Sequence, residues 1–156
     1  PERGFKAHLG KGSTTGVAKA LGIPLVALAT TRSLRKAAVV ALAANALNQL
    51  DTRPGRALKA FVTGAALVRG DAARYLSLAV LLAPYDLREM TMLGDAGSNA
   101  LGALLGYGSV GKLTARGQIL CIAGLAAFTA AGEARSLGVL IERTPLLREL
   151  DAMGRP

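Results

Sequence analysis

The chain has 156 residues, enough for one domain, and a formal net charge of +9. It is 51% hydrophobic but only 4% aromatic, and its 30 alanines and 19 glycines make up nearly a third of the residues. Small residues at this frequency favour helices that pack closely, as they do inside membranes. The single cysteine, Cys121, excludes an internal disulfide and is expected in the core or facing lipid.

Six apolar segments follow one another along the chain. The basic, glycine-rich opening over 1–20 predicts a loop that leads into a helix near Thr14 or Thr15. A charged tail over 133–156 is interspersed with leucines, a pattern typical of an amphipathic helix lying on an anionic leaflet or capping the bundle. Between them lie the apolar segments 21–31, 37–50, 60–68, 75–85, 96–111 and 117–132.

These segments predict an all-α fold, a polytopic membrane helix bundle of about six short transmembrane helices with cytoplasmic loops. The whole chain, 1–156, is then one membrane domain, with a cytoplasmic loop (1–20), a bundle (21–132) and a cytoplasmic tail (133–156). The longest charge-free runs have 16 residues, short of the roughly 18–20 expected of a spanning helix, so a soluble alanine-rich bundle stays open. Segments that are apolar on all sides, with flanking Lys and Arg that extend a span, favour the membrane.

The basic residues predict an orientation for this bundle. If six spans alternate, 12 of the 19 Lys and Arg residues fall on the side that holds both termini, and 7 fall on the other. The positive-inside rule places the richer side in the cytoplasm. The ends of the second and fourth segments and the start of the fifth then share the cytoplasmic side of the cell membrane.

A polar motif closes the second apolar segment. Asn45, Asn48 and Asp51 are spaced by three residues, which on a helix places them on roughly one face near its end. Pro54 and Gly55 then predict the end of the helix. Around that end cluster three basic residues, Arg53, Arg56 and Lys59. The pattern suits an anionic ligand, although an Asn-rich helix end before a solvated loop has the same sequence.

A second motif precedes the fifth apolar segment, where Asp95 stands in the stretch Met92-Leu-Gly-Asp-Ala-Gly-Ser98. A carboxylate at the mouth of an apolar helix is costly without a cation or ligand. Asp95 is therefore expected either to cap the helix, with Ser98 beside it, or to bind a hard cation such as Mg²⁺.

Together the two motifs resemble those of the polyprenyl-phosphate N-acetylhexosamine-1-phosphate transferases. The stretch 45–51 is similar to the family's Asn-x-x-Asn-x-x-Asp signature, and 92–98 is similar to Phe-Met-Gly-Asp-x-Gly-Ser. The likeness covers residues 1 to about 135. It implies a membrane enzyme that transfers a sugar 1-phosphate from a UDP-N-acetylhexosamine to polyprenyl phosphate and releases UMP, with Mg²⁺, or Mn²⁺ in its place. It also implies a homodimer, and no nucleic acid is expected as a partner.

The resemblance assigns roles to particular residues. Asp51 and Asp95 match catalytic positions, and Asp95 also matches a metal-binding aspartate. The substrate-binding positions are Asn45, Asn48, Arg53, Arg56 and Lys59. Phosphoryl transfer needs positioning and charge neutralisation more than covalent chemistry from the protein, which carboxylates, amides and basic residues supply.

The sequence also departs from the family. It contains no adjacent Asp-Asp pair, which the resemblance to 3–9 predicts upstream of Pro1, and Thr52-Arg53-Pro54-Gly55 stands where many members have Gly-Leu-Asp-Gly. The His-rich motif of the last loop is missing, and the one histidine, His8, is expected to be a solvated loop residue. A catalytically inactive membrane homologue that acts as a binding or scaffold module is therefore the alternative function. A soluble bundle that binds nucleic acid through its charge is a third.

Overall fold

A computed structural model describes residues 14–68, 74–134 and 137–154, with 14–20 described as backbone alone. Within these ranges every regular element is helical and no strand is present, which confirms the predicted all-α class. Each of the six apolar segments forms a helix. The helices are α1 (Thr14–Thr31), α2 (Leu34–Leu50), α3 (Arg56–Val68), α4 (Leu76–Asp86), α5 (Gly94–Val110), α6 (Ala115–Ala134), α7 (Leu137–Arg143) and α8 (Pro145–Ala152).

Helix α2 lies at the centre and packs against α1, α5 and α6. Its closest neighbour is α5, because two glycines of α5 lie directly against the α2 backbone. A Cβ at Gly102 would lie 2.5 Å from the Ala43 carbonyl oxygen, and one at Gly106 would lie 2.7 Å from Val40 Cα. This four-residue spacing of glycines lets the helices approach as the sequence composition predicts.

A second apolar cluster joins the central pair to α3 and α4. Phe61 of α3 is fully buried and packs with Leu47 of α2, Ala79 of α4 and Leu101 of α5. This cluster holds α3 and α4 in place beside α2 and α5. It therefore fixes the position of the loops that leave these helices.

Successive helices alternate in direction, so two connections meet at one end of the bundle. We call this the site end: it contains the turn 51–55 between α2 and α3 and the connection 87–93 between α4 and α5. The Gly55 N–H donates to the Asp86 carboxylate across these connections at 3.0 Å. At the opposite end, Lys112 donates to the Val68 carbonyl oxygen at 2.6 Å.

The turn at 51–55 ends α2 as Pro54 and Gly55 predict. Asp51 is the C-cap residue, and its backbone N–H still bonds to the carbonyl oxygens of Leu47 and Asn48. Gly55 has φ of +84°, in the left-handed region where a side chain is strained. The chain then enters α3 at Arg56, so the turn delivers both acidic and basic residues to the site end.

Much of the bundle's exterior is apolar. Among the described helices, α6 alone is long and apolar enough to cross a membrane, and it is almost entirely unburied. The apolar stretches Leu21–Thr31 and Leu76–Asp86 are shorter. One such helix does not establish a multi-span bundle, so the predicted six spans are not confirmed.

Candidate functional site

The two sequence motifs meet through a direct hydrogen bond. The Ser98 hydroxyl donates to the Asn48 side-chain oxygen at 3.0 Å and lies 2.8 Å from the Gly94 carbonyl oxygen. Ser98 is completely buried. The end of α2 and the first turn of α5 are thus held together at the site end, although 50 residues separate the bonded pair.

Asp51 lies where α2 ends and faces the first turn of α5. Burial raises the pKa of Asp51, and the nearby carboxylates of Asp86 and Asp95 raise it further, while the Gly94 N–H opposes them. The Asp51 Oδ1 atom is buried and has no hydrogen-bond partner. A half-buried carboxylate with an unpaired oxygen among other carboxylates is a site suited to a proton or a cation.

Asp95 is exposed in the first turn of α5. The N-cap position belongs to Leu93, so Asp95 lies inside the helix and is not its N-cap residue. An apolar groove of about 540 Å³ runs between α1 and α5, with Asp95 and Asn99 in its lining beside Val26, Val40 and Tyr107. Asp95 therefore lies between the polar cluster at the end of α2 and this apolar groove.

Asp86 is a member of the cluster that sequence reasoning missed. It is 2% exposed, accepts the Gly55 N–H through Oδ2, and has no hydrogen-bond partner at Oδ1. Burial raises its pKa, and Gly55 and the Lys59 ammonium oppose that shift. One signal was available: Asp86 directly follows the apolar segment 75–85, at an end that the predicted topology places beside Asp51.

Asn45 lies apart from the other predicted site residues. Its amide donates to the Thr129 hydroxyl of α6 at 3.0 Å, and Gln49 donates to the Thr129 carbonyl oxygen at 3.2 Å. Residues three apart are rotated by about 300° around a helix axis, so Asn45 and Asp51 differ by about 120°. That rotation turns Asn45 toward α6, whereas Asn48 and Asp51 face α5.

The three predicted basic residues all contact the C-terminal helices. Arg53 forms an exposed ion pair with Glu142 of α7 at 2.9 Å. Arg56 is buried and paired with Asp151 of α8 at 2.8 Å. The Lys59 ammonium donates to the Leu150 and Asp151 carbonyl oxygens at 3.3 and 2.5 Å. The cations that the sequence predicts for an anionic ligand are therefore engaged by the chain itself.

Two carboxylates are available to a metal ion at the site end. Asp51 offers its unpaired buried oxygen, and Asp95 lies close enough to affect the pKa of Asp51. Mg²⁺ is often held by only one or two carboxylates together with substrate phosphates, so this pair fits an ion shared with a bound diphosphate. Within the described ranges, no group of three or more His, Cys, Asp or Glu side chains is arranged to hold a metal. His8 lies outside those ranges, as do the first 13 residues of the predicted loop.

Comparison with known proteins adds no relative to this picture. No protein-family model matches the chain, and neither the curated proteins nor the solved structures contain a match to it. The likeness to the phosphosugar transferases therefore rests on the two motifs and on the arrangement of their residues.

Proposed function

We propose that the chain is a multi-pass membrane protein of the phosphosugar-transferase kind, with its site end in the cytoplasm. The reaction would move a sugar 1-phosphate from a UDP-N-acetylhexosamine to polyprenyl phosphate and release UMP. The observation that carries the proposal is the bond between Ser98 and Asn48, which joins the two motifs into one site. Motifs that matched the family by chance have no reason to meet.

The carboxylates supply the second support. Asp51, Asp86 and Asp95 gather near one another, and burial works against ionisation of the first two. Such an arrangement is stabilised by a cation. Asp51 and Asp95 would hold Mg²⁺ or Mn²⁺, and the bound ion neutralises charge on the phosphates during transfer. Asn48 lies beside Asp51 and would orient the ligand through its amide.

The exterior of the bundle is the third support. Large apolar side chains are exposed along α1, α4 and α6, among them Leu25, Val80 and Leu120. Exposed apolar surface on several helices is typical of proteins that meet lipid or a partner. A polyprenyl carrier is a membrane lipid, so an enzyme that uses it must hold its site at the membrane surface.

The test is release of UMP by the full-length protein in membranes, with UDP-N-acetylhexosamine, polyprenyl phosphate and Mg²⁺. We expect Asp51→Asn and Asp95→Asn each to lower the rate by two or more orders of magnitude, because charge stabilisation dominates phosphoryl transfer. Glu133→Gln removes an exposed carboxylate at the end of α6 and serves as the control. Unchanged activity in both aspartate variants would refute the assignment.

A second function is supported by a specific observation. The basic residues Arg53, Arg56 and Lys59 are engaged by α7 and α8, and Pro54 stands where relatives often have a second aspartate. A catalytically inactive homologue that acts as a binding or scaffold module has no need of free cations. It predicts that UDP-N-acetylhexosamine binds, or a protein partner does, without any UMP release even when the full-length protein is assayed.

A further inference from the structure

The last helix of the described chain contacts the candidate site through a buried fork. The Arg56 guanidinium donates from Nε to Asp151 Oδ1 and from a terminal nitrogen to Oδ2, both at 2.8 Å. The two side chains are only 3% and 9% exposed. A third donation, to the Thr52 hydroxyl at 3.0 Å, fixes the plane of the guanidinium.

This fork has the geometry with which arginine binds phosphate. Carboxylates and phosphates both present two oxygens that match the parallel N–H groups of a guanidinium. Lys59 adds to the likeness, because it meets the carbonyl oxygens at the C-terminal end of α8, the negative end of the helix dipole. Helix α8 therefore presents to two cations the kind of negative charge that a phosphate would present.

Apart from this fork, α8 is weakly attached. It contains no buried residue, and apolar side chains such as Leu146 and Met153 are 67% and 62% exposed. The joint at Thr144 and Pro145 separates α8 from α7. Segments with few buried apolar contacts open at low free-energy cost, so α8 is a helix that can leave the bundle while the rest stays folded.

We propose that α8 is an internal pseudo-ligand. Asp151 occupies the place on Arg56 and Lys59 at which a phosphate group of the ligand binds, and α8 leaves when that group arrives. The inference rests on the proposed function, because that function requires an anionic ligand at this turn. Since helix and ligand compete for the same cations, removal of the Asp151 charge strengthens anion binding.

The first experiment measures binding of inorganic pyrophosphate to the full chain in detergent by isothermal titration calorimetry. We expect Asp151→Asn to lower the Kd by about tenfold, because the competing carboxylate is gone. Glu149→Gln removes the same charge from the same helix without touching Arg56, and its Kd should equal that of the unaltered chain. Equal Kd values for Asp151→Asn and the unaltered chain, or no pyrophosphate binding to either, would overturn the proposal.

The second experiment keeps Asp151 in place, which guards against misfolding of the variant. A nitroxide attached at Met153→Cys, in a Cys121→Ala background, reports the mobility of the end of α8 by electron paramagnetic resonance. Pyrophosphate should increase the mobility, and a label that binds pyrophosphate without any change in its spectrum contradicts the departure of α8.

The outcomes separate this inference from the proposed function. Release of UMP together with a Kd that ignores Asp151 preserves the transferase and removes the pseudo-ligand. Competition between Asp151 and pyrophosphate without any UMP release preserves the pseudo-ligand and removes the transferase.

Discussion

The Ser98 hydroxyl lies 3.0 Å from the Asn48 side-chain oxygen and donates to it, so each of the two sequence motifs contributes one partner of a buried hydrogen bond. The bond sets the distance between the end of α2 and the start of α5. Asp51 and Asp95 stand three residues from its two partners, and their separation depends on it.

Loss of this bond should therefore lower both stability and activity. We expect Ser98→Ala to cost about 1–2 kcal/mol in the free energy of unfolding, because the buried Asn48 oxygen loses its donor. Ser109→Ala is the matched control: Ser109 lies on the same helix and donates only to the Leu105 carbonyl oxygen one turn back, a bond of little net value. Chemical denaturation in detergent measures both, and equal effects would contradict the special role of Ser98.

The packing of α2 against α5 predicts opposite effects for two glycine-to-alanine changes. Gly102→Ala places a methyl group 2.5 Å from the Ala43 carbonyl oxygen, so we expect a loss of about 1–3 kcal/mol. Gly124→Ala in α6 meets nothing within 4 Å and should be neutral or stabilising by up to about 1 kcal/mol. The midpoint of thermal unfolding followed by circular dichroism distinguishes them. A neutral Gly102→Ala would mean that the helices lie further apart.

The buried carboxylate of Asp86 predicts a pH dependence. Burial raises its pKa above the unfolded value of 3.8, so the folded chain holds the proton more tightly than the unfolded chain. The resulting stabilisation is fully present below the unfolded pKa and is lost as pH rises through the folded pKa. In the absence of divalent cations, the unfolding free energy should therefore fall as pH rises from about 4 toward neutral.

Asp86→Asn tests the origin of this dependence. The asparagine oxygen still accepts the Gly55 N–H, while the titrating group is gone, so the pH dependence should become flatter and the variant relatively more stable near neutral pH. Glu89→Gln, which removes an exposed carboxylate from the same connection, should keep the original slope. Identical slopes for Asp86→Asn and the unaltered chain would show that another group titrates.

The exposed face of α6 predicts how the chain responds to a charge. Ala126 lies near the middle of this helix and is exposed. In lipid, Ala126→Lys should cost about 2.5–3.5 kcal/mol and reduce the carbonate-resistant membrane fraction, whereas a surface change in water costs within about 0.5 kcal/mol. Ala134→Lys at the helix end is the control, because a lysine there reaches the interface. Equal membrane fractions would place α6 outside the lipid.

Local sequence determined the helices and the ends that matter. Runs of Ala, Leu and Val set the six apolar helices, and Pro54 with Gly55 ended α2, because these preferences act over a few residues and need no partner. The sequence also identified Asn48, Asp51 and Asp95, since polar groups at the ends of apolar segments stand out in any linear reading.

Tertiary structure decided which groups share the site. Asn45 turned to Thr129, 84 residues away, although its spacing from Asn48 and Asp51 is regular. Asp86 joined the cluster through Gly55, 31 residues away, and Asp151 reached Arg56 across 95. Contacts at such separations depend on how the helices pack, and the pattern of neighbouring residues carries no record of them. The polar groups could be found from the sequence, but their partners required the fold.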